Sequence, residues 1–232
     1  MSEESSPESN YYNADHNLRN MSRKAFGIEN ESFAIIDSEV GLHNYHELEW
    51  AIVRRVIHAT ADFDFAGKEK ITFYGDVFAS AFEAIENGCY VVSDVEMVLS
   101  GINKRLAKEL HLKPLCRISD DSVIKYSRAN NLTRSQVAMD FSAAQIQNGI
   151  VVIGNAPTAL FQVISMVREN KAKPALVIGI PVGFVSALES KKELSRTPVP
   201  SITNIGRKGG SAAACSIINA LMLIYKTRLI QE

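Results

Sequence analysis

The chain has 232 residues, of which 46 % are hydrophobic and 22 % charged, and its formal net charge at pH 7 is −1. These proportions are ordinary for a soluble globular protein, and we expect a cytoplasmic one. The near-neutral charge argues against a surface built to neutralise nucleic-acid phosphates. The longest apolar-rich run, residues 212–225, is too short and too mixed to cross a bilayer. We therefore predict neither nucleic acid nor membrane as a partner.

The cysteines and the first residues bear on compartment and boundaries. Cys89, Cys116 and Cys215 lie far apart and form no CxxC pair, which is typical of unpaired, mostly buried thiols in a reducing cytosol. Residues 1–20 are polar and acidic and lack a leader pattern. Because they carry little apolar surface, we expect a disordered tail there and a single α/β domain over residues 21–232.

Apolar periodicity and turn residues predict alternating helices and strands in the first half of the chain. Asp76 is expected to cap one of these helices. The predicted elements are helices at about 28–40 and 45–62, a strand at 71–74, a helix from Asp76 to Glu86, a strand at 89–93, a short helix at 95–101, a strand at 113–118 and a helix at 120–131.

The second half continues the alternation. The predicted elements are a helix from Thr133 to Asn148, strands at 150–154, 175–179 and 201–204, helices at 157–170 and from about 186, and a final helix to about Lys226. The runs VVIG and LVIGI are apolar without alternation, which indicates strands buried on both faces of a parallel sheet. We predict an α/β fold of three layers, α/β/α, with a mostly parallel, flavodoxin-like sheet.

Two glycine-containing turns precede predicted helices. One is Gly154-Asn155-Ala156-Pro157, with proline at the first helical position, and the other is Gly209-Gly210-Ser211, preceded by Arg207 and Lys208. Ligands of open parallel sheets bind beyond the carboxyl ends of the strands, and N–H groups at a helix start attract carboxylate or phosphate. Glycines that serve only the turn explain each stretch equally well. Nucleotide binding is disfavoured, because neither a P-loop nor a strand followed by G-x-G-x-x-G is present.

Three histidines and one arginine are candidate site residues. His43 and His46 form an H-x-x-H pair, but no third metal ligand is suggested, and a solvated turn explains them better. His58 lies late in the second helix; its type suits general acid work, although a structural or surface histidine is the commoner case. Arg134 begins a helix, where a cation opposes the helix dipole, and this conflict is typical of either a functional position or a tolerated surface arginine.

Several stretches together resemble the precorrin-8X methylmutase family, from about Ile28 to about Leu223. The motifs are ESFAII (31–36), VIHAT (56–60), DVEMV (94–98), GINKRL (101–106), TRS (133–135), GNAPTALF (154–161), GIPVGFVSALESK (179–191) and GRKGGSA (206–212). The resemblance implies an isomerase of corrin (vitamin B12) biosynthesis. It also implies a homodimer that binds a carboxylate-fringed tetrapyrrole near the subunit interface, with other corrin-pathway enzymes as neighbours.

The resemblance assigns roles to individual residues. The family's catalytic histidine falls on His58, and its substrate-contacting serine and arginine fall on Ser32 and Arg134. Asn103 stands where some relatives have threonine; this departs from the family pattern, although an amide can still hydrogen-bond. The matched motifs supply the remaining predicted substrate-binding residues, namely Asn155, Thr158, Gly183, Gly209, Gly210 and Ser211.

The implied reaction is a 1,5-sigmatropic shift of a methyl group from C11 to C12 of precorrin-8X or cobalt-precorrin-8, giving hydrogenobyrinate or cobyrinate. Such a rearrangement needs no cofactor, and any cobalt would belong to the substrate. Two other readings stay open. The chain could be a corrinoid carrier without catalysis, or a flavodoxin-like nucleotide or flavin protein that lacks the usual phosphate loop.

Overall fold

A computed structural model describes residues 23–231. The first half contains α1 (Arg23–Val40), α2 (Glu47–Thr60), a 3-10 turn (Phe63–Ala66), β1 (Ile71–Tyr74), α3 (Val77–Glu86), β2 (Tyr90–Ser93), α4 (Glu96–Gly101), α5 (Lys104–Glu109) and β3 (Lys113–Leu115). The second half contains α6 (Asp121–Ala129), α7 (Arg134–Phe141), α8 (Ala143–Ile146), β4 (Ile150–Ile153), α9 (Pro157–Arg168), β5 (Leu176–Gly179), α10 (Ala187–Leu194), β6 (Ser201–Asn204) and α11 (Ser211–Gln231). The tail predicted at residues 1–20 lies outside the described residues.

The six strands form one sheet in the order β1-β6-β5-β4-β2-β3. All neighbours are parallel except β1 and β6, which pair antiparallel at one edge. Counted along the chain, the five parallel strands have the order 2-1-3-4-5, which is the flavodoxin-like order. The predicted fold class is therefore confirmed, with β1 as an added antiparallel edge strand. The order reverses between β2 and β4, the position where ligands of such sheets bind.

Helices cover the sheet on both faces. Ile150 and Val152 of β4 pack into one core with helices α1 to α5 and α11, whereas Val151 and Ile153 pack into a second core with α6 to α10. All four of these side chains are fully buried. Successive strand side chains point to opposite faces, so an uninterrupted apolar strand requires apolar layers on both sides.

α11 is the central helix of the first core. By length and hydropathy, Ser211–Ile230 resembles a membrane span, but 67 % of its apolar 18-residue stretch is buried inside the protein. It packs on α2, α3, α4 and the strands β4 and β5. Its apolar character is therefore that of a core helix.

Local signals predicted the helix starts well and the helix lengths less well. The Asp76 carboxylate accepts from the Ala79 N–H at 3.3 Å, and the Thr133 hydroxyl accepts from the Gln136 N–H at 3.2 Å, which confirms both caps. The single helix predicted to Asn148 is wrong, because it breaks at Ser142. The Ser142 hydroxyl donates to the Ala138 carbonyl at 2.7 Å, a back-bond that competes with helix continuation.

Other differences are smaller. α5 was not predicted, the strand predicted at 113–118 is only Lys113–Leu115, and the last helix continues past Lys226 to Gln231. The three cysteines are free, with Cys215 buried and the other two half-buried.

Candidate active site

His58 opens onto a cleft of about 400 Å³ between α2, α11 and the start of α5. α2 buries Ile52, Val53, Val56 and Ile57, so its last turn presents residue 58 on the opposite, exposed side. The polar side chains that line the cleft are Arg55, His58, Asn103, Arg105, Glu109, Ser216 and Asn219. The cleft thus brings together two of the predicted site residues, His58 and Asn103, that are 45 positions apart in the sequence.

An aromatic contact holds the His58 ring. Its centroid lies 5.2 Å from that of Phe33, a buried residue of α1, with an angle of 66° between the planes. Ser32 precedes Phe33, and its hydroxyl donates to the Ile28 carbonyl at 2.8 Å, which leaves its oxygen lone pairs available as acceptors. Arg54, one turn before His58, pairs instead with Asp37 of α1 at 2.8 Å.

Asn103 has a structural role in the cleft. Its side-chain oxygen caps α5 by accepting from the Leu106 N–H at 3.0 Å, and its backbone N–H donates to the Asn219 side-chain oxygen at 2.8 Å. Asn219 in turn donates to the Gly101 carbonyl at 2.9 Å. The oxygen of Asn103 is therefore engaged, so its Nδ2 is the group it can offer a ligand. Threonine, which some relatives carry here, is also a favourable cap.

The cleft has a charged rim. Arg55 pairs with Glu29 at 3.4 Å, and Arg105 pairs with Glu109 at 2.9 Å. Glu109 also contacts Lys226, and hydrogen bonds from Lys226 and Arg105 hold the pKa of the Glu109 carboxyl below its usual value. Guanidinium groups bind carboxylates in a two-pronged geometry, so this rim is chemically suited to an acidic ligand.

The N–H groups of the turn after β4 bind a carboxylate of the chain itself. The buried carboxylate of Asp94, which follows β2, accepts from the N–H groups of Gly154, Asn155 and Ala156 at 3.2, 2.8 and 2.7 Å. Burial raises the pKa of the Asp94 carboxyl, and these three donors oppose that rise. Of the two readings left open for this turn, the one in which these three N–H groups bind a substrate carboxylate or phosphate is therefore not supported.

The loops that follow β4, β5 and β6 are joined by backbone contacts. The Gly183 N–H donates to the Arg207 carbonyl at 3.1 Å, and the Gly210 N–H donates to the Ile180 carbonyl at 3.0 Å. A Cβ on Gly154 would lie 2.9 Å from the Ser211 Cα, so only glycine permits this approach. We call these three loops, residues 154–158, 180–186 and 205–211, the loop wall.

Arg134 and Thr158 lie at one end of the loop wall. The Thr158 hydroxyl lies 3.0 Å from the hydroxyls of both Thr133 and Ser135, the residues on either side of Arg134. Arg134 itself is exposed. Its neighbours are thereby tied to α9, while its own side chain faces solvent.

Lys208 and Arg207, expected to add charge at the glycine turn, are engaged elsewhere. The Lys208 ammonium binds Asp62 at 2.7 Å and Asp64 at 2.8 Å, which connects the loop wall to the segment that directly follows α2. The Arg207 guanidinium lies 5.9 Å from the centre of the Phe184 ring. The Lys208 charge is therefore a structural link between the two regions.

The H-x-x-H pair serves the fold. His43 stacks on Trp50 with ring centroids 4.1 Å apart, and the His46 N–H donates to the Glu49 carboxylate at 3.0 Å at the start of α2. Within residues 23–231, no three histidine, cysteine or acidic side chains form a group that could hold a metal ion.

The structure sorts the predicted site residues into two groups. His58 and Asn103 lie in the cleft, with Ser32 beside Phe33. The residues on or against the loop wall are Arg134, Asn155, Thr158, Gly183, Gly209, Gly210 and Ser211. Sequence reasoning missed the cleft residues Ser216 and Asn219, the buried charges Asp94 and Lys191, and the half-buried Glu69. Only Asp94 carried a signal, an acidic residue directly after a strand at the reversal of strand order.

A flavodoxin-like sheet with a polar, histidine-bearing cleft and a wall of loops at the carboxyl ends of its strands defines an α/β protein with a small-molecule site. The comparisons with known proteins specify the class. Residues 27–224 match the family described as precorrin-8X methylmutase, and the chain belongs to that family.

Two curated relatives and one solved structure agree with this. The chain is 42 % identical to the cobalt-precorrin-8 methylmutase of Leptospira interrogans serovar Lai, over 91 % of this chain and 99 % of the relative. It is 43 % identical to that of Priestia megaterium, over 88 % and 90 %. The precorrin-8x methyl mutase of Thermus thermophilus superimposes with a TM-score of 0.80 at 36 % identity, covering 86 % of this chain and 95 % of that one. The protein is thus an isomerase of corrin biosynthesis, and its substrate is a tetrapyrrole.

Proposed function

We propose that this chain transfers a methyl group from C11 to C12 on ring C of cobalt-precorrin-8, with His58 as the proton donor. The observation that supports this most strongly is the placement of His58 as an exposed histidine inside a polar cleft. The motif resemblance assigns the family's catalytic histidine to this same residue. The shift is intramolecular, so the protein has to hold the macrocycle in a reactive geometry and stabilise the redistributed charge.

The residues around His58 suit this task. Protonation of the macrocycle near ring C would draw electron density from the conjugated system and favour migration. Arg55 and Arg105 on the rim would pair with acidic side chains of the substrate. Ser32 and Asn103 would contribute hydrogen bonds, and Arg134, Asn155, Thr158, Gly183, Gly209, Gly210 and Ser211 would contact the parts of the macrocycle that extend beyond the cleft.

Replacing His58 with asparagine tests the proton donor. We expect turnover to fall by about 10²- to 10⁴-fold, the usual loss when a general acid is removed. Corrinoid binding, followed by absorbance, and the free energy of unfolding should change little, because the side chain is exposed. His111→Asn is the matched control, since His111 is a second histidine and its φ of 55° suits asparagine. Near-normal turnover in His58→Asn would refute the assignment, and wild-type protein that binds the corrinoid without methyl migration would favour the carrier reading.

The cobalt form of the substrate is favoured by the pattern of similarity. Among the curated relatives, six named cobalt-precorrin-8 methylmutase are 36–43 % identical to this chain and two named precorrin-8X methylmutase are 34 % identical. The Thermus thermophilus precorrin-8x methyl mutase, at 36 %, lies at the lower end of the first range. In this proposal the metal enters as part of the substrate, and the protein itself uses no cofactor. Turnover of the cobalt-containing and metal-free substrates by the same preparation tests it, and faster turnover of the metal-free form would refute it.

We further propose a cytoplasmic homodimer that works beside other enzymes of the pathway. Val182, Phe184 and Val185 of the loop wall are 46, 86 and 82 % exposed, and apolar groups of this kind often mark contact surfaces. Sedimentation should give twice the mass of one chain, and Phe184→Glu should shift the protein toward the monomer. A wild-type monomer with full activity would refute the dimer.

A further inference from the structure

Lys191 is the most unusual charged residue of the described chain. It lies on α10 with only 1 % of its surface exposed, although lysines are almost never fully buried without a partner. Its ammonium donates to the carbonyls of Gly206 and Lys208 at 2.7 and 2.5 Å. Burial lowers the pKa of Lys191 to about 8, so the charged form is held there against a desolvation penalty.

The Glu69 carboxylate binds backbone N–H groups of the same loop. Its carboxylate accepts from the N–H groups of Arg207 and Lys208 at 3.3 and 3.2 Å, and from the Asn204 side chain at 3.0 Å. Gly206 leaves the space that this requires, because a Cβ there would collide with the Glu69 carboxylate. Two oppositely charged side chains from distant parts of the sequence therefore grip the backbone of residues 206–208.

The residues that follow need such support. Gly209 and Gly210 have φ values of 149° and 120°. Glycine populates positive and negative φ about equally, so the residue type alone does not fix these values. This pair has no side chain that could fix its conformation, and it directly precedes Ser211 and α11. Lys208, whose carbonyl and N–H are both held, also reaches the aspartates that follow the His58 helix through its ammonium. The grip is thus placed to set the glycine turn relative to the catalytic helix.

We infer that Lys191 and Glu69 are positioning residues of the substrate site: together they fix residues 206–208, so that Gly209, Gly210 and Ser211 present one preformed surface to the tetrapyrrole. This inference rests on the proposed function. Neither residue contacts the reacting atoms. Their removal should weaken binding of substrate and transition state equally, which raises KM and leaves kcat nearly unchanged.

The test compares Lys191→Met and Glu69→Gln with Lys192→Met, an exposed lysine next to Lys191 on the same helix. Hydrogen exchange at the amides of Arg207, Lys208 and Gly210 reports the grip without reference to activity. Steady-state kinetics with cobalt-precorrin-8 report its consequence. We expect exchange at least tenfold faster at these amides, KM about tenfold higher and kcat within threefold of wild type. Lys192→Met should match wild type in all three measurements.

The outcomes separate the two proposals. Wild-type protein that neither binds nor turns over the corrinoid would overturn the proposed function and this inference with it. An active wild type with unchanged KM in both variants would overturn only the positioning role, and so would faster exchange spread over the whole chain. If Lys191→Met does not fold, Lys191→Arg serves instead: it keeps the charge, so recovery of KM toward wild type supports the inference and a KM as high as in Glu69→Gln contradicts it.

Discussion

The cleft and the loop wall are built on opposite principles. In the cleft, His58 is exposed, and Arg55 and Arg105, each paired with a glutamate, line the same open space. In the loop wall, the polar groups are largely consumed internally, since Asp94 fills the helix start of α9 and Glu69 and Lys191 occupy the backbone of residues 206–208. In the proposed function the acid is therefore His58 in the cleft, and the loop wall contributes shape, because its Asp94, Glu69 and Lys191 are already bonded within the chain.

Among the variants that test this comparison, Asp94→Ala should lower the free energy of unfolding most. It leaves the N–H groups of Gly154, Asn155 and Ala156 without their acceptor in a buried place, and we expect the free energy of unfolding to fall by about 3 kcal/mol or more. Urea unfolding measures the loss. Asp94→Asn, which keeps one acceptor oxygen, is the matched control and should lose less. Equal stability of Asp94→Ala and wild type would mean that the turn is open to an external anion after all.

The pH dependence of stability should reveal the buried lysine. The pKa of Lys191 is about 8 in the folded protein and 10.5 ordinarily, so between these values the unfolded chain binds more protons. The Lys191 contribution to the unfolding free energy should therefore rise with pH across this window, by up to about 3 kcal/mol, and its penalty is fully present below pH 8. Unfolding at pH 8 and pH 10 should show this gain in wild type and Lys192→Met but not in Lys191→Met. The same gain in all three proteins would contradict the assignment.

The smallest expected change in stability concerns Asn103 and tests whether its role is structural. Asn103→Ala should lower the free energy of unfolding by about 1 kcal/mol, because it removes the cap of α5, and Asn103→Thr should be nearly neutral. Turnover of the threonine variant should stay within about threefold of wild type. A threonine variant that is stable but loses turnover tenfold or more would show that the amide Nδ2 contacts the substrate.

Strands and helix caps could be predicted from the sequence, because they depend on residues that are close together along the chain. Apolar runs such as residues 150–153 reveal strands buried on both faces, and Asp76 and Thr133 cap helices that start one position later. The break at Ser142 was missed because a serine inside a helical pattern permits continuation as well as interruption. Family resemblance assigned His58, for which the residues alone left the alternatives open.

The hydrogen-bond partners within the loop wall could not be predicted from neighbouring residues in the sequence. Asp94 meets its turn from 60 residues away, and Glu69 meets Arg207 from 138 residues away. Only the order of the strands brings these segments together, and an isolated acidic residue looks the same whether it faces solvent or a buried backbone. Contacts of this length become visible with the topology.

α11 connects the loop wall to the cleft. Ser211 at its first turn belongs to the loop wall, and Ser216 and Asn219 further along line the cleft. A helix rises 1.5 Å per residue, so about 12 Å of rigid backbone separates Ser211 from Asn219. In the proposed function, this buried helix sets the distance between the glycine turn that contacts the macrocycle and the cleft that contains His58. Movement of the residues before Ser211 would then change contacts to the macrocycle without changing the position of Ser211 relative to the cleft.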